Sequence, residues 1–271
     1  MFWIIFLAIV IVVIIIYVKF FRLPSFNTIN FIDGTNGVGK SEVCVYWSRR
    51  AKRREVLRYK ICKALHKVFK HKFYTDVEPP YLYSNLALRD TPFIRVTKEM
   101  LTRQNKRCSL NSVLLLDEFS LVADQNIHGK EFREVCEQMR DFWKLCRHEG
   151  FRRVFVNSQN ISSINYTIKD CISNYIYIHH RKNIGIGRLG FSIIYYYEMA
   201  YSRDDKNIMN TFTNRDSDFK RCIVPNRIFG KYDSRAYSIF TDSLPIDNDI
   251  ITTITIARNI IQNIFYLLSN K

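Results

Sequence analysis

No two cysteines in this 271-residue chain stand at C-x-x-C spacing, and their number, seven, is odd. Cys44, Cys62, Cys108, Cys136, Cys146, Cys171 and Cys222 therefore read as small buried hydrophobes of a reducing compartment, which excludes a disulfide framework and a zinc ribbon. His179-His180 has no third ligand spaced near it and reads as structural. Acid is scarce as well: 25 Asp and Glu stand against 41 Lys and Arg, for a net charge of +16. Heavy use of Ile, Asn, Lys and Tyr fits an AT-rich genome and accounts for part of that charge. Abundant arginine still points to an anionic partner, nucleic acid or a membrane surface. Long apolar runs are missing after the first twenty residues. Ile250 to Leu268 comes nearest, but Thr252, Thr253, Arg258, Asn259, Gln262 and Asn263 interrupt it. It reads as an amphipathic helix, or strand plus helix, packing on the body.

What is present begins with Phe2 to Val18, an unbroken apolar run followed by Lys19, Phe20, Phe21 and Arg22. Seventeen residues at ~1.5 Å rise give roughly 26 Å of helix, and the flanking aromatics extend it toward a hydrocarbon core of ~30 Å. The run lacks a basic n-region and a small-x-small cleavage site, so it reads as a retained anchor and not a signal peptide. Lys19 and Arg22 follow it, which predicts a single-pass protein whose body faces the cytoplasm. A short linker with Pro24 holds that body close to the bilayer.

Gly34-Thr35-Asn36-Gly37-Val38-Gly39-Lys40-Ser41 reads G-x-x-x-x-G-K-S, the phosphate-cradling P-loop. Thr28 to Asp33 reads as a strand before it. A helical pattern free of Gly and Pro runs from Ser41 to about Lys72. A strand feeding a helix N-terminus aims backbone N–H groups and the positive helix end at an anion. Lys40 would reach the β/γ-phosphates of ATP, and Ser41 would ligate Mg²⁺. About 75 residues on, Ser112 to Leu116 reads as a buried parallel strand ending in Asp117-Glu118. Asp117 would hold Mg²⁺ and Glu118 would polarise the attacking water, a pairing that argues for hydrolysis.

On the long helix, Leu57, Ile61, Ala64, Leu65 and Val68 line one face and are expected to pack on a core. Eleven Lys and Arg fall between Arg49 and Lys72, with Glu55 the sole acid, so the other face is either a solvated stripe or a contact for DNA or lipid head groups. Glu78 to Tyr81 and Asp90 to Pro92 punctuate a loop-rich stretch. Glu131 to Arg147 is helical, with Phe132, Val135, Cys136, Met139, Phe142, Trp143 and Cys146 inward and Gly150 at its end. Arg152 to Asn160 is a further short strand with amides at its end. Gln159 or Asn157 would face the γ-phosphate, or cap a turn. Ile176 to Tyr201 reads as a hairpin or sheet edge.

Three blocks resemble one family. The P-loop, Leu116-Asp117-Glu118, and Arg147-His148-Glu149-Gly150 followed by a strand into Ser158-Gln159-Asn160 are similar to the Zot-like proteins (zonula occludens toxin family), the filamentous-phage assembly ATPases of inoviruses. The resemblance covers roughly residues 28 to 180. It departs from the family where the anchor precedes the ATPase, where Ser162 or nothing replaces a proline, and where Asn165 replaces Asp. It implies an α/β fold, a P-loop NTPase with a mostly parallel central sheet flanked by helices. It implies ATP and Mg²⁺ as cofactors and a homo-oligomer at the host cytoplasmic membrane. The implied activity is assembly and extrusion of a single-stranded DNA virion, with phage DNA or virion subunits as partners. The implied catalytic set is Lys40, Glu118, Gln159 and Arg147, the last as an arginine finger for which Arg152, Arg153 and Arg181 compete. Rival readings are a cellular or plasmid DNA translocase of the same fold, as in the FtsK-HerA group, and a nucleotide-binding membrane scaffold without turnover. The expected layout is an anchor over 1–22, an ATPase domain over 23–200 and an extension over 201–271 that packs on it.

Overall fold

The structure, a computed structural model, describes residues 2–20, 24–69, 78–96, 98–101, 108–119, 130–159, 161, 164, 166–185, 189–200, 219–228 and 232–233. Two units divide the chain. The first runs from Met1 to Ile239, and the second, Phe240–Lys271, lies outside the described residues together with the predicted segment at 250–268.

Helix α1 (Phe2–Phe20) carries the apolar run. Its nineteen residues measure roughly 28 Å, and Trp3, Phe6, Leu7, Ile9 and Val12 are exposed. Several of its side chains fall outside the description, and among the described residues no helix is long and apolar enough to cross a membrane. The span remains a reading of the sequence.

Strand β1 (Ile29–Gly34) feeds helix α2 (Lys40–Phe69) through the glycine-rich loop. Then come β2 (Leu82–Ser84), β3 (Ala87–Leu88), β4 (Ile94–Arg95), α3 (Lys98–Leu101) and β5 (Ser112–Leu116). They are followed by α4 (Lys130–Leu145), β6 (Phe151–Asn157), α5 (Tyr166–Lys169), β7 (Asn174–Ile184), β8 (Phe191–Ala200), β9 (Lys220–Pro225) and β10 (Tyr232–Asp233). Eight strands form one sheet in the order β4-β2-β5-β6-β1-β7-β8-β9. The first six run parallel, and β8 and β9 extend the edge antiparallel. β3 and β10 pair separately. The mostly parallel sheet expected from the sequence is present, and the stretch around Pro79 and Pro92, read as loop, hides the short parallel strands β2 and β4. β9 belongs to the same sheet, so ordered structure continues past the boundary drawn at 200.

The strands are buried on both faces, as parallel strands covered by helices must be. Side chains alternate with period two. Phe31, Leu114, Leu116, Val154 and Val156 meet Met139, Phe142 and Trp143 of α4 on one side. Ile32, Val113, Leu115, Phe155, Ile176 and Ile178 meet Val43, Cys44, Trp47 and Ala51 of α2 on the other. The loop that ends α4 turns on Gly150, whose φ of 105° is in the left-handed region. Its carbonyl accepts from Ser112 N at 3.0 Å, which aligns the starts of β5 and β6.

Helix α2 is longer than the sheet it packs on. Fifteen residues from Lys40 bring it to Glu55, roughly 22 Å, about the length of a seven-residue strand. Glu55 is buried against Arg153 (3.5 Å), Arg152 (3.5 Å) and Arg58 (3.4 Å) at the amino end of β6. Beyond it the helix leaves the sheet. This corrects the expected core face: Leu57, Ile61, Ala64 and Leu65 are exposed, because the face that stays covered beyond Ala51 runs through Glu55, Tyr59, Cys62 and His66, on the other side of the helix; the Val68 side chain lies outside the described residues.

Gly150→Ala is expected to cost about 1–3 kcal/mol, since a Cβ there lies 2.5 Å from Cys108 O in a strained backbone region. Chemical denaturation measures this, and an unchanged midpoint would contradict the packing described.

Candidate nucleotide site

All parallel strands deliver their carboxyl ends to one edge, where open α/β sheets bind ligands. At that edge the loop 34–39 wraps the N-terminus of α2. Gly37 and Gly39 take φ of 81° and 85°, which lets successive N–H groups turn inward. Gly34 to Gly39 supply backbone, with Thr35 and Asn36 exposed and Val38 half-buried. Lys40 is buried and donates from Nζ to Gly34 O at 2.7 Å, so the loop is closed on its own lysine. Asp33 beneath it accepts from Gly34 N (2.6 Å) and Tyr175 Oη (2.8 Å), and burial pushes its carboxyl above the usual range.

β6 lies between β1 and β5, so Asn157 at its end stands between the loop and the acids. Its Nδ2 donates to Ser41 Oγ at 3.1 Å and to Asp117 Oδ1. Ser41 and Asp117 are thereby drawn into one cluster. Burial raises the Asp117 carboxyl to about 6, against the opposing pull of the hydrogen bonds from Asn157 and Ser41. Asn85, a residue the sequence did not single out, clamps Asp117 through its backbone. Its Oδ1 accepts from Asp117 N and its Nδ2 donates to Asp117 O, both at 2.8 Å. Glu118 follows in a left-handed conformation, φ 49°, which turns the chain directly after the acid.

A hydroxyl and a buried carboxylate, with Asn157 Oδ1 and Ser158 Oγ buried without a protein hydrogen-bond partner, form an oxygen donor set. That set fits a hard divalent cation such as Mg²⁺. Such an ion would supply charge neutralisation of a phosphate. The residues would hold it through Ser41 and Asp117.

The remaining site residues separate. Gln159 is exposed, two positions past the end of β6, while Asn157 occupies the bridging place that the sequence left open between them. Arg147 and Arg152 are exposed at the amino end of β6, where Arg153 is half-buried. A strand of seven residues, ~23 Å, separates that end from the loop. Arg147 therefore does not reach the nucleotide edge of its own subunit, and a finger role requires a neighbouring one. Arg181 does reach it. It pairs with Glu42 in the first turn of α2 at 2.8 Å. His179 and His180 are exposed beside Phe219 and Tyr195, and no metal cluster exists among the described residues.

A phosphate loop on β1, acids after β5 and a polar residue on the strand between them define a P-loop NTPase. The family model for Zonular occludens toxin (Zot) matches residues 28–238, and the chain belongs to that family. No curated protein matches it. Solved structures resemble it at low identity. The N-terminal domain of zonular occludens toxin from Neisseria meningitidis is 13% identical, with 77% of this chain and 100% of that one covered, at a TM-score of 0.45. The genome packaging NTPase B204 from Sulfolobus turreted icosahedral virus 2, in complex with ATP-gammaS, is 12% identical over 56% of this chain and 74% of that one, at 0.37. A KaiC-like protein from Pyrococcus horikoshii is 10% identical over 66% and 82%, at 0.33. Likeness at this level says nothing of what this chain acts on.

The nucleotide-free protein should lose stability as pH rises from about 4 to about 6. The folded state holds the Asp117 proton more tightly than the unfolded chain does, so deprotonation in that window favours unfolding. Asp117→Asn should remove up to about 3 kcal/mol of that slope. Thermal melts of both proteins across pH check it, and parallel profiles would refute the burial of this acid.

Proposed function

We propose that this protein is a membrane-anchored ATPase that drives assembly and extrusion of a filamentous phage through the host cytoplasmic membrane. The observation that carries the enzymatic half is the Ser41–Asn157–Asp117 cluster beside Lys40, with Glu118 next in the chain. Lys40 is positioned to leave Gly34 O for a phosphate. Ser41 and Asp117 hold the cation that screens it. Glu118 orients the water that attacks the γ-phosphorus.

The membrane half is supported by two features at the opposite edge of the sheet. The linker from α1 enters there, with Phe26 packed on Trp47 and Phe155 and its carbonyl accepting from Arg153 at 3.3 Å. The far half of α2 leaves by that same edge, carrying exposed Leu57, Ile61 and Leu65 among Lys60, Lys63 and Lys67. An apolar row between lysines suits a headgroup boundary. Phage DNA or virion subunits are the cargo, and a homo-oligomer is the working form, in which Arg147 can face a neighbour's nucleotide.

In virion-producing cells, Lys40→Ala and Glu118→Gln are each expected to lower particle release at least a hundredfold while the protein stays in the membrane fraction. Removing residues 2–22 should shift it to the soluble fraction. Release at wild-type level with Lys40→Ala would defeat the motor reading. Normal release with Glu118→Gln alone would favour a scaffold that binds nucleotide without turning it over.

A further inference from the structure

An ion pair beside the phosphate loop has no part in the chemistry above. Arg181 Nη1 donates to Glu42 Oε2 at 2.8 Å, and both side chains are largely shielded from solvent. They press on Gly39: a Cβ built there would run into the Glu42 carboxylate and stand 2.7 Å from Arg181 Nη1. The pair therefore lies against the backbone whose N–H groups face a bound phosphate.

Arg181 owes this position to a bulge. Ile176 and Ile178 of β7 face α2, so strict alternation would aim His180 the same way. The register with β8 shifts between Ile178 and His180, and the extra residue hands that face to Arg181, opposite Ile194 of the same core. The guanidinium is also tethered along its other edge. Nε donates to Asn183 Oδ1 at 2.7 Å and lies 3.3 Å from Ser192 Oγ, which sits 2.8 Å from buried Asn226 Oδ1. Nη1 can thus exchange its partner while Nε stays in place.

The pair sits on the β7 flank of the loop, and Ser41, Asn157 and Asp117 sit on the β6 and β5 flank. Ser41 and Asp117 would hold a cation, whose charge would favour the terminal phosphate on the side of the acids. The inner phosphates would then fall on the β7 flank, beside Arg181.

We propose that Arg181 binds the α- and β-phosphates of the nucleotide and that Glu42 is its placeholder, an internal carboxylate that a phosphate displaces. The exchange is one anion for another at Nη1, with no covalent step. It rests on the reading of the loop as a nucleotide site.

The two partners should then have opposite effects. In calorimetric titrations of the full chain in detergent with Mg-ADP and with a non-hydrolysable ATP analogue, Arg181→Ala should weaken both about tenfold. Arg181→Lys should recover part of the loss, since a point charge replaces a planar fork. Glu42→Gln should tighten both threefold or more. A pair with a merely structural role predicts weaker binding and a lower melting temperature from either side, and that result overturns the proposal. A loss confined to the ATP analogue also overturns it, because Arg181 would then read the γ-phosphate. Should Arg181→Ala not fold, Arg181→Lys and Glu42→Gln carry the same comparison. Lys40→Ala separates the two levels. If it binds as wild type does, the nucleotide site itself is misread. If it loses binding while Arg181→Lys and Glu42→Gln match wild type, the exchange alone is wrong.

Discussion

The side-chain amide of Asn157 reaches Ser41 and Asp117 from the end of β6, and through those two contacts it joins three segments that lie far apart in sequence. It can do so because β6 is inserted between β1 and β5 and all three strands end at the same edge. The buried carboxylate of Asp117 depends on this amide, since a charge so far from water needs donors around it. Asn85 holds the same acid from its backbone side, so a strand on each side of β5 contributes one amide to it. The nucleotide edge is thus a small polar network set in a sheet that is apolar on both faces. Its geometry follows from strand order before it follows from any single residue.

That dependence explains what could be read from the sequence. The loop 34–41 and the Asp117-Glu118 pair are contiguous, and their chemistry is visible in the residues themselves. The long helix after Ser41 is announced by the absence of Gly and Pro, and the hairpin of β7 and β8 by its β-branched and aromatic residues. Asn85 was invisible because β2 has only three residues and sits in a proline-punctuated stretch. The choice between Gln159 and Asn157 could not be made, since it turns on where β6 stops. Arg181 was one arginine among several, and a one-residue bulge placed it at the loop. Periodicity put Leu57, Ile61 and Leu65 on a core face, but the face that stays covered beyond Ala51 runs through Glu55, Tyr59, Cys62 and His66, on the other side of the helix. It could not report that the sheet ends near Glu55.

The two edges of the sheet carry opposite arrangements of charge. At the nucleotide edge, acids outnumber the cations that contact them, which suits a site completed by a metal ion. At the other edge, one carboxylate, Glu55, is shared among Arg58, Arg152 and Arg153. That acid is buried and consumed, so it does nothing to neutralise the basic surface of the outer half of α2. Lys60, Lys63 and Lys67 are thereby displayed away from the phosphate loop, on the side where the linker to α1 enters.

Helix α2 belongs to both edges. Its first residue, Lys40, is part of the phosphate loop, and its last turns stand free of the sheet. It is therefore a lever with its fulcrum in the core around Trp47 and Ala51. From that fulcrum the tip lies about 30 Å away, so a tilt of about 5° would displace it by about 2.6 Å. A displacement of the loop would thus be about doubled at the far tip. The length of α2 beyond Glu55 is what would give that displacement its reach.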